Sequence, residues 1–383
     1  MEKKDILYDQ LENIPEEELT LAEHTLGEYA EEQSGKVLGF FADSFLRLCK
    51  NKAAITALVI IVLIMIMAIF GPSMNPYGYN DQDVDRVNLP PRVSALAKFG
   101  ILDGSKVLQN RRADFLTDEE KYPPGSVLEI LNEYEVKGKK MVDVKVDAYK
   151  MAGIEDGVDF WMGTDYLGRD AWTRLWRGAR VSLIIAVISV LANICIGLVY
   201  GAVAGFYGGK IDMILMRIAD VINSFPQVII ATMLILLFGR GITAIILALV
   251  IRGWVGTAKL IRGQFLRFKE REYVLAARTL GVGDGLLIFR HIMPNSIGPI
   301  ITRAMIEVPS AIFAEPFLAF IGLGLQAPEP SIGVLLSDAQ TVLLTYPYQM
   351  VFPAVLISVL MISFNLLGNG LRDAIDPTMR GVN

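Results

Sequence analysis

Arg252, Glu307 and Glu315 are charged side chains set inside stretches that otherwise read as apolar, and charge at that depth is the chemistry this sequence concentrates. Arg252 falls about eleven residues into an apolar segment beginning near Gly241. A charge in the middle of a bilayer costs at least about 2.5–3.5 kcal/mol even on the lenient insertion scale. Glu307 and Glu315, two turns apart on one helix, are its natural partners. Such residues can line a path for a charged solute, fasten two helices as a buried ion pair, or meet another membrane subunit. Asp220, with Asn223 and Asn365, belongs to the same class more weakly.

Other chemistries lack their residues. Two histidines and two cysteines offer no HExxH helix and no CxxC metal or redox spacing. No paired carboxylates or Ser/His set at one depth suggests a membrane enzyme, and no GxxxxGK[ST] loop is present to cradle a nucleotide.

The elements that must position these charges follow from hydropathy. The chain has 383 residues, 53% of them hydrophobic and 20% charged. Ala53–Phe70, Val181–Gly209, Val221–Gly239 and Gln340–Leu371 carry no charge at all. A hydrocarbon core about 30 Å thick needs roughly 20 apolar residues in a helix. Four such runs cannot be packed as a soluble core, so an all-α membrane protein with about six spans is expected. Helix one is placed at 53–71, ending at Gly71-Pro72, and is read as a retained helix rather than a cleaved signal. Helix two is placed at 181–206, helix three at 212–238, helix four at about 241–260, helix five at 297–324 and helix six at 349–370. Pro226, Pro309, Pro316 and Pro353 mark kinks within them.

The first 34 residues hold eleven acidic side chains and read as a solvated tail. Phe40, Phe41, Phe45 and Leu48 then form a stripe before Lys50 and Lys52. This stripe suits an amphipathic helix on the membrane surface within a segment 1–52, or an extension of the first span. Between helices one and two lies a polar insertion, 72–175. In it Val142, Val144 and Val146 alternate with charges opposite Tyr134-Glu135-Val136, the pattern of a hairpin in a small α/β domain. A five-helix core, 176–373, and a tail, 374–383, complete the chain. Lysine and arginine crowd the loop between helices four and five, from Arg262 to Arg290, while Gln326–Gln349 holds none. The basic loop is therefore expected in the cytoplasm, which puts both termini there and the insertion outside.

Within the basic loop, Tyr273, Ala276, Ala277 and Leu280 recur at i, i+3, i+4 and i+7 after Glu272, giving one small apolar helical face near 270–284. Gly281 can end that helix and Pro294 can start the next. The spacing fits a short docking helix as well as an ordinary connecting loop.

This stretch resembles the coupling loop of ABC importer permeases, whose pattern runs Glu-Ala-Ala, three residues, Gly, nine residues, Ile-x-Leu-Pro. Ala276-Ala277 and Gly281 are in register and Met293-Pro294 closes the pattern. Leu275 stands in the glutamate slot and His291 in the isoleucine slot. Gly163-Thr164-Asp165-Tyr166-Leu167-Gly168-Arg169-Asp170, Phe206-Tyr207-Gly208-Gly209-Lys210-Ile211-Asp212 and Gly322-Leu323-Gly324-Leu325-Gln326 are similar to segments of dipeptide, oligopeptide and nickel permeases. So is the run from Phe364 to Asp373. The resemblance covers 45–80 and 160–380, while 81–160 looks longer than that family carries there.

The resemblance implies a type I ABC importer fold and a transport subunit, not an enzyme. It implies a homologous second permease, two cytoplasmic ATP-binding subunits that hold ATP and magnesium, and an extracytoplasmic peptide-binding protein. No cofactor is bound by this chain, membrane lipid surrounds it, and no nucleic acid is involved. Glu272, Tyr273, Ala276, Ala277, Gly281 and Pro294 would form the contact with the ATPases. Arg252, Glu307, Glu315 and Asp220 would line the pathway and meet the termini of a peptide, or pair helices. The insertion would receive the binding protein or cap the cavity, or serve only to stabilise. A nickel or metal-complex importer of the same family is the alternative substrate reading. A secondary transporter is the alternative class, although no internal repeat of the kind it would carry is found.

Overall fold

A computed structural model of the chain describes residues 40–136, 138–155 and 157–375. The acidic tail before residue 40 and the last eight residues lie outside the described residues, so the expectations for them are not addressed. The first helix, α1 (Phe40–Lys50), carries an i,i+4 ion pair between Asp43 and Arg47 at 3.1 Å. It stops at Lys50. Asn51 takes an extended conformation and its side chain accepts from the Ala54 amide at 3.1 Å, which starts α2 (Lys52–Phe70) as a separate helix.

After α2 the chain forms the insertion. Its sheet has order β1-β3-β2, all antiparallel, from β1 (Ser105–Arg112), β2 (Val127–Val136) and β3 (Lys139–Asp147). Val142, Val144 and Val146 are buried against Tyr122 and Leu108, as the alternating pattern requires. A second small core stacks Tyr77 on Phe160 at 4.6 Å and sets the Arg92 guanidinium 3.8 Å from the centre of the Tyr149 ring. β1, whose sequence SKVLQNRR has no alternation, escapes the sequence pattern.

The bundle begins with α3 (Ala171–Tyr207), 37 residues and so about 55 Å long, more than a bilayer needs. It starts ten residues before the expected 181. Asp170 caps it, accepting from the Thr173 amide at 2.8 Å, and its first three turns stand in the insertion. Arg180 donates to the last carbonyls of α2, Ala68 at 2.8 Å and Ile69 at 2.7 Å.

The expected single helix three is instead a broken pair. α4 (Gly209–Ser224) and α5 (Gln227–Phe238) meet at 81° across Phe225-Pro226, where proline fixes φ and removes a donor. α6 (Ile242–Phe268) then packs along α3 in the same direction. Gly197 faces Thr257, Gly201 faces Ala258 and Gly205 faces Phe265. A Cβ at Gly197 would stand 2.7 Å from the Thr257 Cβ, and one at Gly201 would collide with the Ala258 carbonyl. This glycine ladder at i, i+4, i+8 lets the backbones touch. Because α3 and α6 run parallel, α4 and α5 together must cross back once. Among the described residues, five helices are long and apolar enough to cross a membrane, and the bent pair counted as one span makes six.

α7 (Glu272–Thr279) lies in the basic loop. α8 (Met293–Leu318) contains Pro299, Pro309 and Pro316 and is flanked by π-helical turns at Leu287–Ile292 and Ala319–Leu323, the second broken by Gly322 at φ +82°. α9 (Ile332–Val342) is a short apolar helix in the loop that follows, and α10 (Tyr348–Ile375) returns to pack against α2 and α8.

Candidate functional site

α7 is held to the bundle by one side and leaves the other bare. Val274 and Ala277 are buried among Phe206, Ile261, Phe265, Leu287 and Ile292, drawn from α3, α6 and the turn before α8. The helix ends in a paired arrangement of hydrogen bonds: the Val282 amide donates to Ala277 O and the Gly281 amide to Arg278 O. That closure needs Gly281 in the left-handed region, at φ +82°. The Arg278 guanidinium rests 5.4 Å from the Phe206 ring centre, and Asn295 donates to the Tyr273 hydroxyl at 3.2 Å, tying α7 to the first turn of α8. Pro294 sits in that first turn, exposed.

The expected docking face changes in one member. Ala277 points inward, because with Val274 it forms the more apolar side of the helix, and core burial claims that side first. Glu272, Tyr273, Ala276 and Gly281 are exposed, and so are Leu275 and, at 84%, Leu280. Phe289, 66% exposed, is a further apolar residue of the same loop that periodicity did not single out.

The intramembrane charges do not meet as expected. Arg252 does not reach Glu307 or Glu315; its Nε donates to Asn223 Oδ1 at 3.1 Å, and the pair is exposed. Two turns farther along α6 toward α7, Lys259 pairs with Asp220 at 2.6 Å, again exposed. Both contacts join α4 to α6 and share one face. Glu307 is buried, accepting from Arg303 Nε and from Thr257 Oγ1, each at 2.8 Å. Its partner thus lies four residues earlier on its own helix. Glu315 is fully buried and has no cation partner among the described residues; it accepts from Ser182 Oγ at 2.8 Å and Ser331 Oγ at 2.5 Å, joining α3, α8 and the start of α9.

A third cluster closes the other end of the bundle. Asp165 accepts from Arg169 Nε at 2.8 Å, and Arg174 Nη1 lies 3.1 Å from the same oxygen. Arg174 also approaches Asp338 of α9 at 3.6 Å. Burial pushes the Asp338 carboxyl above the usual carboxylate range, against the pull of Arg174 and Arg169. Desolvation raises Asp170 as well, while Thr173 and Asn75 oppose it by hydrogen bonds. The segment Asp165–Asp170 was legible as a motif; that it forms a buried ion cluster was not.

Two families match this chain. The one described as a binding-protein-dependent transport system inner membrane component covers residues 194–381, and the N-terminal TM domain of oligopeptide transport permease C covers 39–91. Among similar proteins, the oligopeptide transport system permease protein OppC of Bacillus subtilis is 35% identical over 370 residues, 97% of this chain and 100% of its own. The dipeptide transport system permease protein DppC of the same organism is 35% identical over 373 residues, covering 97% and 96%. The glutathione transport system permease protein GsiD of Pectobacterium atrosepticum is 37% identical over 220 residues, covering 57% and 73%. The inward-facing MetNI methionine ABC transporter aligns with 53% of this chain and 96% of its own at TM-score 0.45 and 18% identity.

Proposed function

The chain belongs to the binding-protein-dependent transport system inner membrane components, as an ABC importer permease most like the oligopeptide permease C subunits, and from that membership we propose that it carries peptides inward across the cell membrane. It is an all-α membrane protein of the type I importer fold, with a small sheet in the insertion. The alternative of a secondary transporter falls with this membership. Relatives named for oligopeptides, dipeptides and glutathione favour peptides over nickel as cargo.

In the proposed assembly the chain pairs with a homologous permease, two cytoplasmic ATPases hold ATP and magnesium, and an external binding protein delivers the peptide. The basic α7 loop faces the cytoplasm, so both termini do. The exposed side of α7, Tyr273, Ala276 and Leu280 with Glu272 and Leu275, is the ATPase contact. Val274 and Ala277 transmit its movement to α3, α6 and α8. A helix anchored through one buried face and closed by Gly281 moves as a unit with what it packs on.

The pathway is proposed on the α4–α6 face. Exposed charge within a span cannot rest against lipid without large cost. The Arg252–Asn223 and Asp220–Lys259 contacts must therefore face water or the second permease, which is what a central cavity between two permeases would supply. Glu307 and Glu315 instead fasten helices. The insertion would sit outside as a platform for the binding protein. The observation that carries the reading is the full-length 35% identity to the oligopeptide permease together with the bare apolar side of α7. The test is uptake of a labelled dipeptide, a labelled pentapeptide and radioactive nickel by cells with and without the chain. Loss of peptide uptake alone supports the proposal; loss of nickel uptake alone overturns it.

A further inference from the structure

A groove of about 490 Å³ runs along the outside of the bundle between α2 and α10. Small-molecule pockets typically enclose about 300–1,000 Å³, so this is room for an elongated ligand. The groove exists because α2 offers only Ala53, Thr56 and Ala57 on one wall, while Ile362 and Leu366 rise from α10 on the other. Beyond its mouth, Gly370 lets α10 press directly on Ala54, which holds the two helices together beside the opening. Ile60 and Val359 line it farther along, about 12 Å from Lys52 by helix rise. Apart from Thr56 and Ser363, what lines the groove is hydrocarbon, and its single charge is Lys52 at one end.

That end belongs to the same side of the bundle as α7, since Gly298 at the start of α8 contacts Ile375 at the end of α10. Lys52 is exposed and has no carboxylate partner among the described residues. It stands where the apolar part of α2 begins, so the groove presents a cation at the polar boundary and a strip of hydrocarbon below it. A phospholipid has the complementary order, an anionic phosphate above an acyl chain. Basic sites between spans on the cytoplasmic side take anionic head groups in this way.

We infer that the α2–α10 groove, with Lys52 at its mouth, binds an anionic phospholipid whose acyl chain lies along Thr56, Ile60 and Ile362 and whose head group meets the Lys52 ammonium. A zwitterionic lipid offers the same tail with its phosphate already balanced by its own cation, so the site distinguishes the two by charge. Assignment to the inner leaflet rests on the orientation proposed above; the site itself does not.

The test uses the full chain purified in mild detergent with whatever subunits accompany it, titrated with dioleoylphosphatidylglycerol or dioleoylphosphatidylcholine and read by native mass spectrometry. Wild type is expected to retain one phosphatidylglycerol at a concentration at least tenfold below that needed for phosphatidylcholine. Lys52→Glu places an acidic residue in the first turn of a helix, which the helix tolerates, and is expected to remove that preference. Thr56→Trp should fill the groove and prevent retention of either lipid, while Lys50→Glu, outside the groove, leaves binding unchanged. Equal retention of both lipids overturns the inference. So does equal weakening by Lys50→Glu and Lys52→Glu, which would mark a diffuse basic surface. If Thr56→Trp keeps its lipid but loses a membrane subunit, the groove is covered by protein and the inference fails.

Discussion

Where α3 begins, four charged side chains, Asp165, Arg169, Arg174 and Asp338, are packed together beside the Asp170–Thr173–Asn75 hydrogen bonds. Arg169 and Arg174 are almost wholly shielded from solvent. Where α3 ends, α7 is arranged the other way: its charged side chains Glu272 and Arg278 are exposed, Val274 and Ala277 bury its inner side, and Leu280 and Phe289 stand in the open. A buried ion cluster is brittle, because displacing one partner strands the others in low dielectric. Apolar contacts are non-directional and give way gradually. The first arrangement suits an end that keeps its shape, the second an end that another protein takes hold of.

The strongest test of this contrast is Asp165→Asn, which leaves Arg169 and Arg174 buried without a full counter-charge. Breaking a buried pair by removing one partner costs about 3–5 kcal/mol, so the purified protein should melt well below wild type or fail to accumulate. A melting temperature within a degree or two of wild type would show the outer end to be less dependent on its charges than the geometry says. Next comes Glu315→Leu, which strands the Ser182 and Ser331 hydroxyls at about 1–3 kcal/mol; Glu315→Gln, able to accept from one of them, should fall between, as thermal unfolding in detergent would record. Gly201→Val wedges α3 from α6 in the middle of the bundle, where overpacking costs about 1–3 kcal/mol. At the other end, Leu280→Glu should change stability by less than about 0.5 kcal/mol, the range for exposed sites without special contacts, and yet abolish uptake.

The spans were legible because lipid demands long apolar runs and tolerates little else. Their breaks were less so: Pro226 signalled a kink, but an 81° turn between α4 and α5 depends on what packs beside it. The glycine ladder Gly197, Gly201, Gly205 was in plain view and marks the α3–α6 contact. Pairing of charges was misread because a partner for Glu307 was sought on another helix, while Arg303 stood four residues away on its own. Arg252 found Asn223, a neutral side chain that a search for opposite charge passes over. On α7 the periodicity was right and the facing wrong by one residue: a face of Tyr273, Ala276, Ala277 and Leu280 omits Val274, whose burial turns Ala277 inward with it. β1 offered no signal, since an edge strand that leans on the valines of β3 needs no alternation of its own.

The central claim is that the exposed side of α7 carries the ATPases and its buried side carries the fold. Affinity purification in mild detergent of wild type, Ala276→Glu with Leu280→Glu, and Ala277→Glu decides it. The account predicts that wild type brings a second permease and two ATPases. The Ala276/Leu280 variant should keep the permease and its melting temperature while losing the ATPases, and Ala277→Glu should lose stability itself. An Ala276/Leu280 variant that retains its ATPases would contradict the account, and so would a wild type that comes out with no ATPase at all.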